Sequence, residues 1–425
     1  MQSGLQPVGR LTPKPDTGLL VRVEADSWQV VVVGAGAAGL MAAIRAAEWG
    51  KKVLLLEKNK RPGVKILMSG GTRCNLTHNC DNRGIIAAYG EQGKFLHSAL
   101  AALTVAQTIE LFNDEGLETK VEETGKIFPA SNRAVDVLDA LMRRLNRSGA
   151  TLALDEGVLE LSREESGFRL VTSHRTLHAE KIILTTGDGY RWVTALGHKL
   201  IPPRPALTPI TINDEWVKRL SGVTIPDVAV RVVDPAGNLP RDRTHGRGSF
   251  LFAHFGLSGP VALDVSRAIS GHPRPATLRL ECDFLPAQSP AELAEELKQR
   301  SVAAGRKLIS AILPEQLPQR LHEALLERAG VRLDRKAAEL TKTERATLVT
   351  AYKNQTISIA GTRGFKQAEV TAGGVPLDEV DSRTMQSKLV PGLYLAGEIL
   401  DLDGPIGGYN FQAAWSTGWL AGSSV

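Results

Sequence analysis

Gly34-Ala35-Gly36-Ala37-Ala38-Gly39 follows a run of four valines and opens an alanine-rich stretch, and an acid, Glu57, closes the next apolar run. That arrangement suits the pyrophosphate of a dinucleotide. The first glycine makes a tight turn, the second lets the backbone approach the phosphates, and the third lets helix and strand pack closely. Ala35 and Ala38 sit in the same turn, where the helix amino terminus offers free N–H groups and partial positive charge. Glu57 stands 18 residues beyond Gly39, near the distance at which an acid meets ribose hydroxyls. Unaided, the acid fits the ribose of NAD as well as that of FAD.

Two further segments favour FAD. Near the carboxyl end, Gly397-Glu398 and then Gly407-Gly408-Tyr409-Asn410-Phe411-Gln412 repeat the strand–glycine–helix order. A second helix amino terminus directed at a flavin ring favours negative charge there, and Gly407 and Gly408 permit close backbone approach. Between the two ends, residues 65–75 bring together Lys65, Ser69, Gly70, Gly71, Arg73, Cys74 and Asn75. Hydroxyl, backbone, guanidinium and amide groups there suit phosphate or flavin heteroatoms. Tyr409 and Asn410 are candidates for orienting a substrate, and no residue is assigned as a catalyst.

The elements that must position these groups follow from periodicity. Residues 29–57 read as one βαβ unit with buried parallel strands. Residues 61–78 read as a Gly/Ser/Lys-rich loop. Helical spacing covers residues 95–116 and 138–145, and strands are expected over 152–161, 168–172 and 181–185. At Pro202 the composition shifts: Pro202, Pro203, Pro205 and Pro209 punctuate a linker, and residues 228–233 and 249–252 look like short strands of an all-β module. Residues 290–351 are charge-rich and helical by period, with Leu293, Leu297, Leu308, Leu321 and Leu325 as apolar anchors. A strand over 393–396 and a helix over about 410–421 close the chain. The expected layout is a flexible leader (1–27), a first part of a nucleotide-binding domain (28–199), a mainly β insert (200–288), a helical insert (289–350), its return (351–364) and the second part of the nucleotide-binding domain (365–425). The fold class is α/β, a Rossmann-like FAD-binding domain interrupted by an insert with a β-barrel part and a helical part.

Composition bounds the rest. The chain has 425 residues, 43% hydrophobic and 23% charged, which excludes wholesale disorder. The net charge of +5 is too dilute to argue for nucleic acid, and no run of 18 apolar residues suggests a membrane span. The first 26 residues hold scattered charges and no apolar secretion core, so the expected location is the cytoplasm. Three cysteines, Cys74, Cys80 and Cys282, cannot make a disulfide framework. Cys74 and Cys80 have five residues between them, the wrong spacing for a redox dithiol, so Cys74 reads as a small buried side chain. No metal site is expected. His254 reads as a packed strand residue, and Arg241, Arg243, His245 and Arg247 as a solvated loop.

The segments GAGAAGL, GVKILMSGGTRCNLT, HFGLSGP (residues 254–260), EVTAGGV (369–375) and SKLVPGLYLAGEILDLDGPIGGYNFQAAWSTGWLAG are ordered and spread over nearly the whole chain. Together they resemble the BaiN-like family of NAD(P)/FAD-dependent oxidoreductases, which includes aminoacetone oxidases. The resemblance implies that Lys58 and Val158 join the cofactor-binding residues named above, together with Glu398 and Phe411. Family members carry a longer loop before GDGY, which here follows its strand almost at once, so no contact of that loop is carried over. The resemblance further implies hydride transfer between flavin and a small organic substrate, either a conjugated steroid-like ketone or a small amine. With no second dinucleotide motif, NADH or NADPH as electron donor would dock transiently over the flavin. The expected partner is a small molecule, with no nucleic acid and no membrane. The reactive face of the flavin should open toward the insert. The rival reading is a flavin-binding regulatory or RNA-associated protein without turnover.

Overall fold

The computed structural model describes residues 26–187, 189–237 and 243–425. Nearly all of the expected leader, together with Asp188 and Arg241, lies outside the described residues. Strand β1 (Asp26–Val33) ends in four buried valines, as a strand covered on both faces must. Helix α1 (Ala37–Glu48) follows, and Gly50 turns the chain at a φ of +79° into β2 (Val53–Leu56). The remaining strands of this sheet are β3 (Thr151–Ala153), β4 (Val158–Glu164), β5 (Gly167–Thr172), β6 (Thr176–Leu184) and β7 (Leu393–Leu395). Their spatial order is β3-β2-β1-β6-β5-β4. β6 is parallel to β1; its first half pairs antiparallel with β5 and its last residues pair parallel with β7.

The register decides where a ligand can go. Val33 stands opposite both Leu56 and Leu184, and Leu184 opposite Leu395. Four parallel strands therefore stop level with one another, and Gly34, Glu57, Thr185 and Ala396 begin four loops along one edge. In an open α/β sheet that edge is where ligands bind.

A second helix, α2 (Tyr409–Ser423), lies against α1 over small residues. A Cβ on Gly418 would sit 2.2 Å from the Ala38 carbonyl oxygen, and one on Gly422 would sit 2.4 Å from that of Ala42. Only glycine allows this approach. The helix is buried along its length, and its polar groups are satisfied inside the core: Gln412 accepts from Thr77 Oγ1 at 2.7 Å and donates to Thr108 Oγ1 at 2.8 Å.

Seven antiparallel strands make the second sheet, and its two ends, Gln355–Ser358 and Gly361–Thr362, are consecutive pieces of one chain segment. The sheet therefore curls round until two residues join its edges, the expected barrel. Its core, around Phe250, Phe252 and Phe284, continues into helices Pro290–Ala304, Gln319–Arg328 and Lys342–Lys353. Capping boxes set at Ser289 and Thr341 begin the first and last of these. No single described helix is long and apolar enough to cross a membrane.

Three expectations need correction. The proline run is not a bare linker: Ile201–Ala206 is a strand, paired antiparallel with Val370–Gly374, in a two-stranded ladder whose free edges tolerate proline. Leu308 is 49% exposed, and its neighbour Ile309 is the buried anchor. Within residues 61–78 the chain forms a helix, Val64–Thr72, anchored by buried Ile66, that breaks where Ser69 leaves helical geometry and Gly70 and Gly71 take φ of +56° and +66°.

A candidate functional site at the level strand ends

The level strand ends open into a cleft of about 1180 Å³. That exceeds the usual range of about 300–1,000 Å³ for a drug-sized ligand and leaves room for a dinucleotide plus a substrate.

The three glycines of the first motif have three separable jobs. Gly34 has a φ of +101°, and a Cβ there would lie 3.1 Å from Thr185 Oγ1. Gly39 would place a Cβ 1.8 Å from the Gly34 carbonyl oxygen, so it is the point where α1 touches the β1 loop. At Gly36 a Cβ would meet no protein atom within 4 Å, and the residue lines the cleft. The space beside Gly36 is thus kept open for something other than protein, next to the amino terminus of a twelve-residue helix. Glu57 is buried; its Oε2 accepts the Ala35 N–H at 2.9 Å, and its Oε1 accepts both the N–H and the side-chain amide of Asn59 at 2.9 and 2.6 Å. A carboxylate held this way keeps one acceptor site, on Oε2, for a ribose hydroxyl. The open side of Gly36, the helix end and the fixed acid fit the adenosine diphosphate portion of FAD.

Of the other sequence candidates, Lys58, Lys65, Ser69, Gly70, Arg73, Asn75, Val158, Gly397, Glu398, Gly407, Gly408, Asn410 and Phe411 also line the cleft. Lys65 is ion-paired with Glu398, whose other oxygen accepts the Thr371 N–H at 2.6 Å. Arg73 reaches Glu122 at 2.7 Å and lies 4.0 Å over the Phe128 ring, so its charge is directed across the cleft wall. The Asn75 amide, turned to satisfy both ends, donates to the Thr77 carbonyl at 3.1 Å and accepts the Gly408 N–H at 2.9 Å, tying the middle loop to the start of α2.

Four candidates stand back from the cleft. Gly39 packs helix on loop. Gly71 is exposed with no atom near its Cβ position. Cys74 is buried, and burial pushes its thiol up to about 12, so it is not a thiolate near neutrality. Tyr409 stacks on His78 at 4.6 Å. Gly408 is glycine for a different reason than ligand approach: a Cβ would lie 2.4 Å from the Thr77 backbone.

His254 and Arg243 also depart from expectation. His254 is exposed, at the tight turn joining His245–Ala253 to Gly256–Ser258. Arg243 is not solvated: its guanidinium reaches the fully buried Asp403 carboxylate at 3.1 Å, alongside Arg267 at 2.7 Å. Arg247 pairs with Asp227 at 2.7 Å.

Residues that motif reading missed enter from segments with no signature of their own. Thr185 to Gly187 follow β6, Tyr190 to Trp192 begin the next helix, and Lys126, Phe128, Phe365, Glu369 and Ile406 line the far end of the cleft. Among described residues of the 200–364 span, Pro203 and Leu207 reach the lining. Asp264, on the helix Pro260–Ser270, accepts the Ile406 N–H at 2.7 Å, and burial raises its carboxyl to about 6. A carboxyl raised in the folded state favours folding below its unfolded pKa, near 4, and loses that advantage as pH rises through about 6. Asp264→Asn is therefore expected to raise the melting temperature at pH 8 while changing it little at pH 4. An equal effect at both pH values in thermal melts would contradict this.

Among the described residues no group of three or more His, Cys, Asp or Glu side chains is placed to hold a metal ion.

The HI0933-like protein Rossmann domain family matches residues 28–424. Three curated relatives are similar over almost their full length. The ribosomal RNA dihydrouridine synthase of Escherichia coli (strain K12) is 33% identical, covering 94% of this chain and 98% of that protein. The protein of the same name in Haemophilus influenzae (strain ATCC 51907 / DSM 11121 / KW20 / Rd) is 32% identical, covering 93% and 98%. The 3-dehydro-bile acid delta(4,6)-reductase of Clostridium scindens (strain ATCC 35704 / DSM 5676 / VPI 13733 / 19) is 31% identical, also covering 93% and 98%.

Proposed function

We infer, from the premise that the chain belongs to the HI0933-like Rossmann-domain family, that it reduces a carbon–carbon double bond conjugated to a carbonyl group. It is an FAD-dependent oxidoreductase, and the finer reading concerns its substrate. Forming dihydrouridine saturates a double bond next to a carbonyl in the uracil ring, and a delta(4,6)-reductase acting on a 3-dehydro-bile acid saturates one conjugated to a ring ketone. Different in size, the two substrates share one reacting unit, C=C–C=O. Amine oxidation, the other precedent implied by the resemblance, needs no such unit and finds no support in these relatives.

The observation that carries the reading is the division of the cleft. One end offers the open side of Gly36 and the fixed Glu57; the other is largely apolar, with Leu207, Val370, Ile406, Phe128 and Phe365 beside the Gly407-Gly408 turn. A flat conjugated ring suits that end. When bound, FAD supplies the hydride, and NADH or NADPH is the proposed electron donor.

The chain's own contribution is positional. Gly34 and Gly39 fix the turn, Asn75 ties the middle loop to α2, and the Lys65–Glu398 pair joins the Val64–Thr72 helix to the Gly397 turn. A preformed cleft of this kind binds without first ordering itself, which preserves binding energy for orienting the reacting atoms.

The test uses purified protein carrying FAD, with NADPH or NADH. Two substrates are compared: ribosomal RNA from a strain lacking this gene, analysed for dihydrouridine, and a 3-oxo-4,6-diene steroid, analysed for loss of its conjugated absorbance. Reduction of either supports the reading, and which one is reduced identifies the source of the conjugated carbonyl. Reduction of neither, with rapid anaerobic flavin bleaching by small amines, would sink it.

A further inference from the structure

Ten titratable side chains line the cleft, and most are already engaged. Glu57 holds Ala35 and Asn59, Arg73 holds Glu122, Lys65 and Glu398 hold each other, and Lys58 has a partner too. Glu156 is fixed by Arg175 at 2.9 Å and Thr172 at 2.8 Å, the Tyr190 hydroxyl donates to the Glu398 carbonyl at 3.3 Å, and Arg191 donates to the Leu159 carbonyl at 3.1 Å. Two remain. Among the described residues, the Lys126 ammonium and the Glu369 carboxyl have no hydrogen bond or ion pair, though each lines the cleft and their charges act on one another.

Their position is specific. Lys126 starts the strand Lys126–Pro129, whose Phe128 lines the same wall. Glu369 immediately precedes the strand Val370–Gly374, its N–H donating to the Leu207 carbonyl at 3.2 Å. Leu207, Val370 and Ile406 form an apolar cluster there, next to Gly407. An apolar end with two unengaged, oppositely charged groups is the composition of a site that orients and reacts, since structural charges find partners.

We propose that the Lys126 ammonium binds the carbonyl oxygen of the conjugated substrate and that the Glu369 carboxyl supplies the proton to its α carbon. The assignment rests on the substrate class inferred above. Hydride forms the C–H bond at the β carbon, and the π pair moves to leave an enolate whose oxygen faces Lys126. The Glu369 O–H bond then breaks as the α C–H bond forms. The carboxylate regains its proton from water, and the reductant consumed overall is a reduced nicotinamide nucleotide. A fixed cation where oxyanion charge develops is the form of electrostatic assistance such a reaction needs.

The charges around Glu369 favour this role. Crowding by protein holds its carboxyl above the usual carboxylate range, and Lys126 opposes that shift. Asp264 lies close enough for Glu369 and Lys126 to affect its ionisation, with Arg243 acting on it as well. Burial favours the protonated form of this carboxyl, the form that can donate a proton.

The test starts with p-nitrophenol, whose anion mimics an enolate oxygen on a flat ring, titrated into FAD-loaded protein across pH and followed by nitrophenolate absorbance. Binding to the unmodified protein is expected to favour the phenolate. Lys126→Met should weaken binding at pH 8 by about tenfold or more, and Glu369→Gln should tighten it severalfold by removing a facing negative charge. With the 3-oxo-4,6-diene steroid, Glu369→Gln should slow turnover by roughly 10²–10⁴-fold at unchanged flavin content, with partial recovery in Glu369→Asp. Absence of nitrophenol binding, or binding that ignores both substitutions while flavin is retained, overturns the proposal. If nitrophenol behaves as expected but the unmodified protein reduces neither steroid nor ribosomal RNA, the substrate reading fails and the Lys126–Glu369 anion site stands.

Discussion

Gly36→Leu is expected to give a folded, colourless protein. The backbone at Gly36 is extended, with φ of −84° and ψ of −167°, so any residue can adopt it. A new side chain meets no protein atom within 4 Å of its Cβ and projects where the pyrophosphate must lie. The cost to folding is that of a poor helix cap, about 1 kcal/mol. The cost to FAD binding is loss of the closest backbone approach, and the affinity should fall by roughly a hundredfold or more, equivalent to about 3 kcal/mol. Flavin content after purification, reconstitution with excess FAD and a thermal melt of the apoprotein check this together. A yellow Gly36→Leu protein would show that the ligand does not pass this point.

The reverse outcome is expected three residues on. Gly39→Ala adds one methyl group, but it would lie 1.8 Å from the Gly34 carbonyl oxygen and 2.7 Å from Thr185 Oγ1. The first clash is with backbone, so no rotamer change relieves it, and α1 must separate from the β1 loop. Overpacking usually costs about 1–3 kcal/mol, and a backbone collision belongs at or beyond the upper end. Against a total stability of about 5–15 kcal/mol this is a large fraction. The melting temperature of Gly39→Ala, measured without added FAD, should fall well below that of Gly36→Leu, although the substitution is smaller. Equal melting temperatures would show that strand and helix are free to part here.

The contrast between these glycines was legible in the sequence, because turn, approach and packing are local demands written within six residues. The same holds for Glu57, since a strand of four residues ending beside β1 carries its next residue to the cleft by register alone. Periodicity likewise marked both helices at the cleft, because an alanine-rich or glycine-spaced helix can be buried on several faces. Solvent exposure was harder to read. His254 and Leu308 stand in apolar surroundings in sequence yet are exposed, the first because a two-residue turn intervenes and the second because its neighbour Ile309 takes the buried place. Arg243 looked solvated because its partner, Asp403, is 160 residues away.

Short stretches of chain thus carry the nucleotide end of the protein: a βαβ unit, its glycine turn, its acid and a family likeness running through the chain. The far end of the cleft was decided by tertiary structure. Lys126 and Glu369 are separated by 243 residues and belong to no shared motif. Both line one cleft, Lys126 from the start of the strand Lys126–Pro129 and Glu369 from just before Val370–Gly374, which pairs with Ile201–Ala206 where the chain crosses out and returns. Local chemistry fixes a turn within a few bonds, whereas the meeting of two distant side chains depends on how whole sheets bury their apolar faces, and no short stretch of sequence contains that sum.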